Sequence, residues 1–206
     1  FDYPNPGTGW DNIEDILLNT HPLYYCENNA QGKDYWFAVE IKTASGDQTG
    51  EAQIGWMTYR ALMEEVTGVF FYNFIRANST TKQAMKNVCK RISDGSVTTV
   101  LDGNAPLTSG VTFTSGGSSV VYTYYSYSTH HWLFVVDKTP GSGSYPKNFT
   151  VECEVSSTEY DEFELVYEGF YSSEVTGAAK EAPSSIKFSD SIDSAGQGKF
   201  YHIVSI

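Results

Sequence analysis

The run from Ser118 to Lys138, SSVVYTYYSYSTHHWLFVVDK, limits this chain more than any other stretch. Val, Tyr, Thr, Phe and Trp fill it and neither Gly nor Pro interrupts it, so it predicts β structure, whose pleated, half-buried surface suits branched and ring side chains. Its polar middle, Ser126 to Thr129, is where one long strand bends or two strands turn. On the second arm Trp132, Phe134 and Val136 share one face while His131, Leu133 and Val135 share the other, as the two-residue period of a strand requires. Apolar side chains on both faces predict cover on both faces and an internal place in a sheet.

Upstream, the pattern is mixed. The opening FDYPNPGTGW reads as an extended, Pro- and Gly-punctuated arm pinned by its rings. Asp11 with Glu14 gives a capping-box-like start to a short helix with Ile13, Ile16 and Leu17 as its apolar stripe. His21 to Cys26 and Tyr35 to Lys42 flank the turn-forming ENNAQGKD and predict a β-hairpin. A helix is expected from Glu51 to about Val66, a buried strand over Val69 to Ile75, and a third helix with Thr80 and Gln83 as its capping box. Ala84, Met85, Val88, Cys89 and Ile92 form that helix's stripe.

From Ser96 on, Ser, Thr and Gly increase and strand signals recur. Val111 to Thr114 is one strand. Phe149, Val151, Cys153 and Val155 alternate with Thr150, Glu152 and Glu154, and Phe163, Leu165 and Tyr167 alternate with Glu164 and Glu168, giving strands with one dry side and one acidic side. Residues 172–198 read as a polar excursion with one short strand around Ile186 to Phe188, and Lys199 to Ile206 closes the sheet. The fold class is therefore α+β: an N-terminal helix, hairpin, helix, strand and helix, then a mainly antiparallel, β-sandwich-like half. Residues 1–95 and 96–206 are the expected units, with one continuous domain as the alternative.

Charge narrows the function classes. Lys and Arg number 13 against 25 Asp and Glu, a net charge of -12, and no basic cluster is present; this argues against a nucleic-acid footprint or docking on an anionic membrane. No apolar run approaches the roughly 20 residues of a membrane-spanning helix. The opening at Phe1 rather than Met is read as a trimmed start. Cys26, Cys89 and Cys153 follow no CxxC spacing, which excludes a zinc knuckle, and Cys89 and Cys153 fall on apolar stripes as buried thiols.

Three features carry candidate chemistry. Glu40-Ile41-Lys42 ends a hairpin strand and precedes a helix bearing Gln53 and then an apolar strand. This order resembles the core of the PD-(D/E)xK nuclease superfamily, over about residues 11 to 76. The resemblance implies a Mg²⁺-dependent nuclease, with Glu40 helping to hold the metal, Lys42 steadying the attacked phosphate or water, and Gln53 on the following helix. The metal-binding Asp of that family's preceding strand has no counterpart in His21 to Cys26; Glu27 and Asp34 are the nearest acids. The second feature is His130, His131 and His202. Neighbouring strand residues point to opposite faces, so His130 and His131 do not share a ligand, but His202 can meet either, with a carboxylate such as Asp137, across a sheet. The third is the ring set Trp10, Trp36, Tyr124, Tyr127 and Trp132, large rigid surfaces that stack on sugars or dock a partner.

Taken together, the acidic, Tyr-, Ser-, Thr- and Gly-rich β chain with an aromatic arm is expected to be a non-enzymatic structural or surface-binding component of a larger assembly. Its style is that of virion, tail or extracellular-appendage proteins. It would self-associate or bind other subunits, with surface glycan as a further partner, and would use no cofactor or metal. A glycan-binding β-sandwich module and the nuclease centred on Glu40 and Lys42 are the alternatives.

Overall fold

The structure is a computed structural model, and it describes residues 36–40, 50–63, 66, 68–72, 74–93, 106–127, 130–140, 142–155, 162–167, 170–172, 179–182 and 185–204. The aromatic arm with Trp10, the helix expected from Asp11, the first hairpin strand with Cys26, and Lys42 lie outside the described residues. What is described is α+β, an α/β part followed by two antiparallel sheets stacked as a sandwich.

The α/β part consists of β1 (Trp36–Glu40), α1 (Glu51–Met63), β2 (Gly68–Tyr72) and α2 (Ser79–Ile92). The two strands pair in parallel, with Trp36 opposite Gly68 and Glu40 opposite Tyr72. A parallel pair needs a long crossover, which α1 supplies. Gly50 and Gln53 start α1: Gln53 Oε1 accepts from the Gly50 backbone N–H at 3.0 Å, satisfying a donor that no helical turn can. The helix is described from Glu51 to Met63, and Gly68 opens β2 rather than ending α1.

Two local expectations are corrected in this part. Asn78, not a Thr80–Gln83 box, caps α2, with Asn78 Oδ1 accepting from Thr81 N–H at 2.8 Å, while Gln83 donates to Asn87 at 2.9 Å. Asn is among the best caps because its short side chain reaches the free N–H groups of the first turn. Cys89 is exposed rather than buried. The contact stripe of α2 runs through Thr81, Ala84 and Val88, and residue 89, about 100° further round the helix, turns away from it.

The sandwich holds β3 (Val111–Ser115), β4 (Val120–Tyr127), β5 (His130–Asp137), β6 (Lys147–Glu154), β7 (Glu162–Tyr167), β8 (Phe170–Ser172), β9 (Ala179–Ala182), β10 (Ser185–Ile192) and β11 (Gly198–Val204). One sheet runs β3-β6-β10-β9 and the other β4-β5-β11-β7-β8. The run from Ser118 to Lys138 is thus a hairpin of β4 and β5, paired from Val120 with Asp137 to Tyr127 with His130. Residues 172–198 hold more than one short strand: β9 and the eight-residue β10 both lie there. Strand β11, expected to close the sheet, lies between β5 and β7.

Two cores result, and β5 has a face in each. Leu133 and Val135, with Tyr201 and Ile203 of β11, meet Phe149, Val151, Cys153, Ile186 and Phe188 of the opposing sheet. Trp132, Phe134 and Val136, with Phe200 and Tyr125, meet Ile54, Trp56 and Met57 of α1 and Val39 of β1. The layers are therefore helices, five-stranded sheet and four-stranded sheet. Two contacts seat α1 on its sheet. The Trp56 indole N–H donates to the Asp137 carbonyl at 2.7 Å, and the Tyr59 ring lies so close to Gly198 that a Cβ there would stand 2.8 Å from it.

Candidate functional site

Among the described residues, the pair of β1 and β2 has one face covered and one exposed. Val39 faces α1 and is fully buried, with Val69 and Phe71 packed against the same core. On the other alternation Trp36 is 63% exposed, Phe70 46% and Tyr72 41%. The run Val69 to Ile75, expected as a buried strand, is thus covered on one face only, and after Tyr72 it becomes a 3-10 turn over Phe74–Arg76 in which Ile75 is 91% exposed. The Trp36 ring lies over Gly68, where a Cβ would come within 2.7 Å of it. Only glycine allows the ring to lie flat on the backbone, which pins a large apolar surface that would otherwise be mobile.

Glu40 is the last residue of β1 and stands in register with Tyr72, the last residue of β2. Both are at the carboxyl ends of parallel strands, the end at which α/β folds build their sites, because the loops that follow are free to vary while the strands fix position. Gln53, named with Glu40 in the nuclease reading, is occupied with the α1 start. Glu51 is likewise engaged: its carboxylate accepts from Asn87 at 2.8 Å and from Arg91, joining the two helices.

The histidines divide as their alternation requires. His130 and His202 meet on the helix side of the sheet, with His130 Nδ1 2.9 Å from His202 Nε2. His131 is buried on the sandwich side, its Nδ1 3.0 Å from the Tyr124 hydroxyl, and burial, helped by the charge of His130, lowers its pKa to about 4, so it stays neutral. Asp137 takes no part in either group. Its buried carboxylate accepts from Lys147 Nζ at 2.7 Å and from the Tyr145 hydroxyl at 2.5 Å, a clasp between the end of β5 and the start of β6. Among the described residues no group of three or more His, Cys, Asp or Glu side chains could hold a metal ion.

Of the rings expected to bind, only Trp36 has a described surface position. Tyr124 and Trp132 are buried, at 1% and 3% exposure, because both sides of the β4–β5 hairpin are covered. Tyr127 ends β4, and Trp10 lies outside the described residues. Phe70 and Tyr72 were missed because an apolar run carries no mark of which face stays open. The strand, helix, strand order that predicts parallel pairing was the signal that could have pointed to them.

No family model matches the chain, and no curated protein matches it in sequence. Solved structures do match in fold. The glycoside hydrolase family 30 subfamily 8 xylanase Xyn30A from Clostridium acetobutylicum is similar with a TM-score of 0.50 at 13% identity, over 85% of this chain and 44% of that one. A GH30 endoxylanase from Clostridium papyrosolvens C71 is similar with a TM-score of 0.51 at 10% identity, over 98% of this chain and 51% of its own. The chain thus spans about half the length of these structures, and the likeness is one of fold.

Proposed function

We propose that this chain is part of a polysaccharide-acting protein, in which Glu40, the last residue of β1, serves as a reacting carboxylate and the rings of Trp36, Phe70 and Tyr72 hold sugar. The observation that carries the reading is the register of Glu40 with Tyr72 at the ends of two parallel strands. Glycoside hydrolysis uses two carboxyl groups, one giving a proton to the leaving oxygen and the other acting as base or nucleophile; Glu40 is one member of such a pair. Trp36, Phe70 and Tyr72 offer the flat apolar surface on which the C–H face of a pyranose stacks. The xylanase activity of the two similar structures makes xylan the first substrate to try. An acidic surface without a basic cluster suits an uncharged polymer better than a phosphate backbone.

The test is retention on insoluble xylan, with cellulose and starch as comparisons, together with reducing-end release. The chain should be retained on xylan, Tyr72→Ala should weaken retention about tenfold, about 1.4 kcal/mol, and Glu40→Gln should leave retention while removing any release of reducing ends. No retention on any of the three polymers would overturn the reading.

The exposed strip Trp36, Phe70, Tyr72, Phe74 and Ile75 also favours a second reading, an assembly component whose partner covers this face. Solution mass across a dilution series separates the two: a defined oligomer that Phe70→Ser dissociates belongs to assembly, a monomer to polysaccharide binding. The nuclease reading asks for a second carboxylate near Glu40, and its described neighbour in register is Tyr72.

A further inference from the structure

His130 and His202 belong to adjacent antiparallel strands. His202 is in register with Trp132, which places His130 two residues along the diagonal. Their facing nitrogens, 2.9 Å apart, share one proton as a hydrogen bond. The Trp132 indole stacks on His202 with centroids 4.9 Å apart and planes 2° from parallel, and on His130 at 5.6 Å. Trp132 Nε1 is buried and has no acceptor among the described residues. Both residues are partly exposed.

We propose that His130 and His202 form a two-imidazole site for a divalent transition-metal ion of the nickel and copper class. Imidazole nitrogen favours these ions and zinc over Mg²⁺ or Ca²⁺, which take oxygen ligands. Two nitrogens bound to one ion at about 2.0–2.1 Å lie about 2.9 Å apart when they meet at a right angle and about 3.4 Å apart at the tetrahedral angle. The observed spacing is the first of these, the one tetragonal nickel or copper requires. The ion would lie off the line between the nitrogens, so both rings turn toward it on binding. Both histidines bind as neutral rings: the one whose N–H lies between them moves that proton to its other nitrogen, and none is released.

Water fills the remaining positions. Asp137, the carboxylate named with these histidines from sequence, is held by Lys147 instead.

Nickel(II) chloride titrated into the metal-free full chain at pH 7.5, read by calorimetry and by tryptophan emission, tests the site. One ion per chain should bind, with saturable quenching. His130→Ala and His202→Ala should each weaken binding more than about tenfold. Trp132→Phe should keep the binding heat and lose most of the quenching, because the quenched indole is the one stacked on the ligands. His130→Ala is the decisive variant, since His130 is partly exposed at the first position of β5 and its loss leaves the strand's core contacts in place. The absence of saturable binding, or nickel affinity unchanged by His130→Ala, would overturn the proposal.

Discussion

Strands β2 and β5 are both apolar runs in the sequence, and the structure uses them in opposite ways. In β5 every residue from His131 to Asp137 is buried, with one face on α1 and the other on the opposing sheet. In β2 only one face is covered, and Phe70 and Tyr72 stand in solvent beside Trp36. Parallel strands are as a rule covered on both faces. The open aromatic face of this pair is the one to which binding is proposed above, while the closed strand is a place where stability resides. The contrast sets a strand buried on both faces against one covered on a single face.

The largest effect should come from the closed side. Phe149 is 1% exposed between Phe113 and Tyr201, so Phe149→Ala should cost about 3–5 kcal/mol in denaturant unfolding. A loss below about 1 kcal/mol would mean that the sandwich is no tighter than an ordinary surface. Next is Lys147→Met, which leaves the Asp137 carboxylate buried without its cation; roughly 3 kcal/mol should be lost and partly recovered by adding Asp137→Asn. A full-sized loss in the double variant would instead assign the effect to the lysine's packing. The smallest belongs to the open side. Phe70→Ser should change stability by no more than about 0.5 kcal/mol while reducing retention on xylan. If it destabilised as Phe149→Ala does, the face would be covered in solution and the contrast would fail.

The hairpin of β4 and β5 was legible because alternation on two faces survives in the letters themselves, and β6 because Phe149, Val151 and Cys153 alternate with polar residues. Strand β10 was shortened in the reading for an equally physical reason. Ile186, Phe188 and Ile192 keep the inward alternation, but the third position is Asp190, whose carboxylate accepts from Lys199 Nζ at 2.8 Å and from the Tyr201 hydroxyl at 2.7 Å. A charge neutralised by partners in the next strand breaks an apolar pattern that the fold itself leaves intact. The same limit applies to the candidate site. Glu40 was picked out from its own triplet, but its neighbour Tyr72 is 32 positions away, and only the pairing of β1 with β2 brings them together. His130 and His202 were singled out as residues that could meet, and the register of β5 with β11 is what joins them.

The place of β5 between two cores has a genetic meaning. Leu133 and Phe134 are consecutive codons, yet the first belongs to the core shared with β6 and β10 and the second to the core shared with α1. Second-site suppressors of a Leu133 lesion should therefore collect around Val151 and Phe188, and those of a Phe134 lesion around Met57 and Phe200. Two adjacent letters in the gene would answer to separate sets of revertants.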